Sequence, residues 1–325
     1  MTVLDLSALA VGDRVNHELL VRERAEAKTK AGDPFWILTL GNGTGTIATA
    51  PIWNDQRAMV DGAEAGAFVQ AIGDVADYKG KRQLALKSLR LLPPGGHDLS
   101  QFLPGVSDQR REAAWAWLDK QRHELRSAPL RRAVDLFFAD EAFRVAFERT
   151  PGSTRGHHAC TGGLLVHTVE VATIARTTAQ VMKANVELAV VGALVHDVGK
   201  VEAYAVDARG FGFTPAGHVV GHVVLGSWML DRRRLAAGGA GLTDAQALEL
   251  QHFILSHHGT LEFGAAVPPM TAEAEIVHWA DEASAKANDM LESLAEDEHF
   301  AGDDRFSSKR PWRLGKKIWR SPGDW

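Results

Sequence analysis

The stretch GALVHDVGK, residues 192–200, decides how the second half of the chain is read. Its first half is apolar without a break, as a buried helix should be. It then ends in a histidine and an aspartate side by side, with a glycine and a lysine just beyond. Burying ionisable groups together is costly unless something binds them. A ligand at the helix end is therefore expected.

Reading outward, other apolar helical segments carry polar residues of the same kind. GGLLVHTVEVATIARTTAQVMK holds His167 amid Leu164, Leu165, Val166 and Val171. GHVVLGSWMLDRRRLAAGG carries His222 just after Gly221, and TDAQALELQHFILSHHG closes on His257 and His258. MTAEAEIVHWADEASAKANDML holds Asp281 after Trp279 and Ala280. Each side chain is expected to point to one interior, where a metal removes the burial cost. His167, His196, Asp197 and Asp281 would make one site. Asp197, His222 and His257 or His258 would make a second, with Asp197 as the bridge. Imidazole and carboxylate without thiolate suit manganese, iron, cobalt, nickel or zinc. Two such ions ~3.5–4 Å apart can activate a bridging hydroxide for in-line attack on phosphorus and clamp the phosphate oxygens. Lys200 has two readings: a cation that complements the helix C-terminus, or one that neutralises phosphoryl charge in the transition state.

Composition sets the frame. A chain of 325 residues suggests two domains, and a net charge of −5 neither marks nor excludes a nucleic-acid binder. Cys160 is the lone cysteine, so neither a disulfide framework nor a Cys-rich zinc site can form within the chain. No basic leader followed by an apolar run is visible at the N-terminus, and no apolar run reaches a membrane span. The expectation is a soluble, cytoplasmic protein.

Residues from about 10 to 92 read as β. FWILTL (35–40) and TGTIATAPIW (44–53) flank a GNG turn, and AFVQAIGDVADY and KRQLALKSLRLL flank YKGK. Short strands at this density predict a small barrel or sandwich. Gly41, Gly43 and Gly45 read as a turn, because no Gly-Lys-Ser/Thr follows to make a phosphate loop. Residues 93–106 are rich in Pro and Gly and read as a linker. Helices follow over 107–304, the first capped by Ser107, the next opening at Pro129 and a third stopping before Pro151.

The ordered set His, His-Asp-x-Gly-Lys, Gly-His, Ser-His-His-Gly, Asp resembles the HD superfamily of metal-dependent phosphohydrolases. HHACTGGLLVHT (157–168) and LSHHGTLEFGAAVPPMTAEAEIVHWADEASAK (255–286) resemble the YhaM-type 3′→5′ exoribonucleases in particular. The resemblance implies an all-β OB-fold barrel (1–92) ahead of an all-α HD-domain helical bundle (107–304). It implies removal of nucleotides from the 3′ end of single-stranded RNA, and also of DNA, with manganese favoured. It carries metal-ligand roles to His167, His196, Asp197, His222, His257, His258 and Asp281, and strengthens a catalytic role for Lys200 beside Asp197. His157 and His158 have two readings, a substrate rim or loop residues with structural bonds.

An OB barrel holds single strands with a basic groove and stacked aromatics. Lys28, Lys30, Lys79, Lys81 and Arg82 are the groove candidates, with Trp36 and Tyr78 to stack bases; Phe35 and Trp53 are expected in the core. In use, the barrel would feed a 3′ end to the helical pocket. The tail 305–325 carries seven Lys or Arg between Trp312, Trp319 and Trp325. It would either touch nucleic acid or dock through its tryptophans. Arg232–Arg234 read as a solvated face, and an apolar face on the 107–150 helices would permit a homo-oligomer. Two other functions compete with the exonuclease: a phosphohydrolase of nucleotides or cyclic dinucleotides, and a non-catalytic single-strand binder with a structural metal.

Overall fold

The computed structural model describes residues 4–323; Trp325 lies outside the described residues. The chain divides into two units, Met1–Gly105 with Val206–Phe211, and Val106–Ala205 with Gly212–Trp325.

The first unit is built on β1 (Arg14–Lys28), β2 (Pro34–Asn42), β3 (Gly45–Thr49), β4 (Ile52–Trp53), β5 (Phe68–Tyr78) and β6 (Lys81–Leu91). β1 is long enough to serve two neighbours. Residues 14–20 pair antiparallel with β5, and residues 20–28 pair antiparallel with β2. The register shifts between Val21 and Glu23, a bulge that bends the strand from one partner to the other. β2 pairs with β3, β3 runs parallel to β6, and β6 returns antiparallel to β5, which closes the ring. Five strands joined in this order fit an OB-fold. Val15, Leu19, Leu38, Leu40, Ile47, Val69 and Leu84 fill it. Both hairpin turns form where expected. The glycine run joins β2 to β3, and Lys79 and Gly80 both take positive φ between β5 and β6, as a two-residue hairpin requires.

The aromatics exchange the places expected of them. Trp36 shares the inward face of β2 with Leu38 and Leu40 and is only 4% exposed, so it is not free to stack a base. Trp53 is 45% exposed, and half-buried Phe35 lies against it with ring centroids 5.5 Å apart. The cause is the period of two in a strand, which sends neighbouring residues to opposite faces. The Pro- and Gly-rich stretch after β6 is also more ordered than a linker. Leu99–Gln101 makes a 3-10 turn, and Phe102 and Leu103 are buried against Leu20 and Phe68.

The second unit holds α1 (Asp108–Glu124), α2 (Ala128–Phe138), α3 (Glu141–Arg149), α4 (Gly163–Met182), α5 (Val186–Val195) and α6 (Lys200–Ala203). A hairpin of β7 (Tyr204–Asp207) and β8 (Gly210–Phe213) follows in the chain, its residues 206–211 belonging to the first unit, so the stretch 107–304 is not purely helical. Then come α7 (Pro215–Val219), α8 (His222–Ala236), α9 (Asp244–Ser256) and α10 (Ala272–Ala295). Ser107 caps α1 by accepting from the Arg110 amide, and Pro129 sits in the first turn of α2. Residues 189–195 of α5 are buried on every side, as their unbroken apolar sequence requires. Phe137, Phe138, Phe143 and Phe147 of α2 and α3 pack into the same core, while Val145 of α3 stays 43% exposed. The arginines of α8 are paired: Arg232 with Glu202, Arg233 with Asp140 and Arg234 with Asp244. Among the described residues no helix is long and apolar enough to cross a membrane.

The reversal on β2 is testable. Trp36→Ala is expected to destabilise the barrel by about 3–5 kcal/mol in urea unfolding, the cost of emptying an aromatic core position. Trp53→Ala should change it by less than ~1 kcal/mol.

Candidate metal centre

Five helical segments bring the polar residues to one place. His167 comes from α4, His196 and Asp197 from the turn after α5, His222 from the first residue of α8, His257 and His258 from the end of α9, and Asp281 from α10. His167, His196, Asp197 and His257 are at most 2% exposed. His167 Nε2 is 3.0 Å from Asp281 Oδ1 and 3.5 Å from Asp197 Oδ2, and His196 Nε2 is 3.1 Å from Asp197 Oδ2. On the other side, His222 Nε2 is 3.3 Å and His257 Nε2 3.5 Å from Asp197 Oδ1. One oxygen of Asp197 thus faces each group. His167, His196 and Asp281 form one convergent set, and His222, His257 and His258 form another.

The other ring nitrogens hold the imidazoles in position. Nδ1–H donates to the Ala193 carbonyl from His196 (2.6 Å), to Ile254 from His257 (2.8 Å) and to Phe263 from His258 (2.6 Å). That fixes the tautomer and leaves Nε2 with its lone pair toward the site. His167 Nδ1 lies 3.1 Å from Ser284 Oγ, whose hydroxyl donates to Glu170 at 2.8 Å. Glu170 also accepts from Asn288 and faces His158 Nε2 at 2.9 Å. Burial alone would push the Glu170 carboxyl up, but His158, Ser284 and Asn288 bring it down to about 2.

A metal fits these residues. Nε2 of His167, His196, His222 and His257 and both oxygens of Asp197 are buried and have no hydrogen-bond partner. Buried polar atoms rarely stay so without a ligand. Their separations of 3.0 to 3.5 Å suit donors that share an ion at ~2.1 Å each. The Lys200 ammonium lies 2.6 Å from Asp197 Oδ2, an ion pair without hydrogen-bond alignment, and donates to the Gly152 carbonyl at 2.7 Å. Burial opposes charge on both groups, yet their attraction outweighs it, so Asp197 stays well below the usual carboxylate range and Lys200 is raised.

Beside these side chains opens a pocket of about 280 Å³, lined by His157, Lys200, Tyr204, His222, His258, Asp281, Lys286 and Asp289 among others. The two neighbouring histidines part here. His157 faces the pocket, with Nδ1 3.6 Å from Asp289, while His158 is 5% exposed and turned to Glu170. Burial and the positive neighbours His167 and Lys200 press His157 down to about 3, so it is neutral at pH 7.

Gly199 has a different reason from the helix stop its place in the motif suggests. A Cβ there would strike the His222 carbonyl and the Gly226 backbone. The glycine lets α8, and so His222, approach. Sequence reasoning passed over Glu170, Ser284, Asn288, Tyr204, Lys286 and Asp289. Only Glu170 carried a local signal, as an acid one helical turn after His167.

In the barrel, Tyr78 is 57% exposed, and Lys28, Lys30, Lys79 and Lys81 face solvent. Arg82 is engaged instead, donating to the carbonyls of Ser7 and Leu9.

Two outcomes test the architecture. Gly199→Ala should weaken Mn²⁺ affinity by tenfold or more in calorimetry, the range expected when ligand positioning is lost (about 10–100-fold), with α-helical circular dichroism retained. Glu170 has a folded pKa of about 2 against 4.5 for the free side chain. Its stabilising share is whole above pH 4.5 and lost as pH falls toward 2. Glu170→Gln should therefore lower the urea midpoint at pH 7 and flatten its dependence on acid; an unchanged acid limb would contradict the network.

Comparison with known proteins agrees with this geometry. A family model of the HD domain matches residues 164–286, a span that holds all seven convergent side chains. The 3′-5′ exoribonuclease YhaM of a Geobacillus species is 29% identical over 86% of this chain and 84% of its own length. The YhaM of Bacillus subtilis is 29% identical, covering 87% and 88%, and that of Oceanobacillus iheyensis 27%, covering 86% of each. No solved structure matches the chain significantly. With an OB-like barrel ahead of the span that matches the HD domain, and similarity running through both, the chain resembles the YhaM-type exoribonucleases along most of its length.

Proposed function

We propose that the chain is a metal-dependent 3′→5′ exoribonuclease acting on single-stranded RNA. The observation that carries this is the pair of ligand sets on either side of Asp197, at the floor of a pocket. His167, His196, Asp281 and Asp197 would hold one ion, and His222, His257, His258 and Asp197 the other. Manganese is the ion we propose first, since mixed imidazole and carboxylate donors accept it. When bound, two such ions supply an activated water and Lewis-acid stabilisation of the phosphate oxygens.

The chain's own residues do the rest. Asp197 holds the two ligand sets in one geometry through its separate oxygens. Lys200, kept charged by Asp197, is placed to offset negative charge on the phosphate as it builds up. His157, neutral at pH 7, offers a hydrogen bond at the rim without a charge of its own. A pocket of about 280 Å³ is at the small end of the ligand-site range, roughly 300–1,000 Å³, and suits a chain terminus better than the middle of a strand. The barrel offers exposed Lys28, Lys30, Lys79, Lys81 and Tyr78 to a single strand. The reading extends to single-stranded DNA, because cations on the phosphates and a ring stacked on bases act alike on either sugar. We place the activity in the cytoplasm.

The test is a 5′-labelled single-stranded RNA incubated with Mn²⁺ or EDTA, beside Asp197→Ala and Lys200→Ala. A ladder shortening from the 3′ end in Mn²⁺ is expected, abolished by EDTA. Asp197→Ala should lose at least ~10³-fold in rate, and Lys200→Ala roughly 10²–10³-fold, the scale for removing one transition-state charge contact. RNA left intact in Mn²⁺ would sink the reading and point to nucleotides or cyclic dinucleotides as substrates.

A further inference from the structure

The tail beyond α10 is folded back on itself. Bridges join Phe300 to Ser307 and Phe306 to Trp319. Its anchor is small: Ser307, Pro311 and Ile318 are buried. Two arginines complete it. Arg313 pairs with Glu292, and Arg320 bonds Asp297 and the Leu294 carbonyl while covering the Phe300 ring. The rings of Trp312 and Trp319 stay outside this anchor, Trp312 under the Arg313 guanidinium at 5.7 Å and Trp319 beside the Phe306 ring with centroids 6.4 Å apart. Trp312 is 70% exposed, Phe306 63% and Trp319 47%. Lys309, Arg310, Lys316 and Lys317 are exposed beside them, and among the described residues no ion pair engages these four cations.

Rings held in water beside unpaired cations need a partner that meets both. A protein core contact would take the rings and strand the charges, and simple solvation would serve the charges but not the rings. A single-stranded polynucleotide does both, since phosphates neutralise the cations while unpaired bases stack on the rings. The place is also suitable. Arg313 is 4.0 Å from Asp289, which lines the pocket with Lys200. Lys316 follows three residues later, within ~11 Å of extended chain.

We propose that residues 306–319 form a second binding surface for single-stranded RNA, on the helical unit and leading to the pocket. It rests on the exonuclease reading only in supposing that the strand's 3′ end enters that pocket.

The experiment uses the full chain in EDTA, so that binding is read without cleavage. A short fluorescein-labelled single-stranded RNA is titrated by anisotropy at several salt concentrations. The variant Lys309→Ala/Arg310→Ala/Lys316→Ala/Lys317→Ala is expected to bind at least tenfold more weakly. Its slope of log K against log salt should shrink by about 3, at ~0.7 per phosphate contact. Trp312→Ala should weaken binding roughly tenfold and Trp312→Phe far less, because stacking needs a ring and not an indole. Equal melting temperatures establish that the variants fold. Unchanged affinity and slope in both the cation variant and Trp312→Ala would overturn the proposal. So would loss of binding to anionic phospholipid vesicles with RNA binding intact. Wild type that binds through these residues yet leaves RNA whole in Mn²⁺ would sink the nuclease reading and still support the surface.

Discussion

The carboxylate of Asp197 is the constraint on which the helical unit depends. It is 2% exposed and remains ionised, which a protein interior permits only when positive charge surrounds it. Lys200 supplies part of that charge from three residues away. The rest of the shell is imidazole nitrogen from α4, α8, α9 and the turn after α5, with Asp281 of α10 across from His167. As metal ligands these imidazoles would be neutral donors and Asp281 a second anion, so Lys200 alone would not balance the site. Cations between the two clusters would do so, and the unpartnered Nε2 atoms are free to meet them.

Holding so many polar groups at one point demands rigid support. The carbonyls of Ala193, Ile254 and Phe263 fix three imidazoles from behind. Ser284 and Glu170 do the same for His167. Gly199 and Gly226 let backbones meet where side chains would hold α8 away. The all-round apolar helix α5 then carries His196 and Asp197 on the most buried element of the unit. Precision at the site follows from ordinary packing, because each of these side chains lies within or at the end of a helix that packs into the core.

Much of this was legible in the sequence. His167, His196, Asp197, His222, His257, His258 and Asp281 each interrupt an apolar helical pattern, and an ionisable residue in such a pattern has few explanations other than a ligand. The barrel announced itself through strand composition and turn chemistry at YKGK and GNG. What stayed hidden was whatever depends on a face or a distance. Trp36 and Trp53 look alike as letters, and only the strand's inward register separates them. His157 and His158 are neighbours in the chain, yet one lines the pocket and the other bonds Glu170.

The sequence by itself determined the kind of chemistry, because residue types at helix ends set which ligands are available, and it determined the strand and helix content through local periodicity. Tertiary structure alone decided that Asp197 turns one oxygen to each cluster of side chains, that Glu170 backs His167 through Ser284, and that the tail docks by Ile318 and two arginines with Trp312 and Trp319 outward. The physical reason is that these are relations between segments as many as 117 residues apart. No local pattern encodes which of two oxygens, two histidines or two rings the folded chain will face inward.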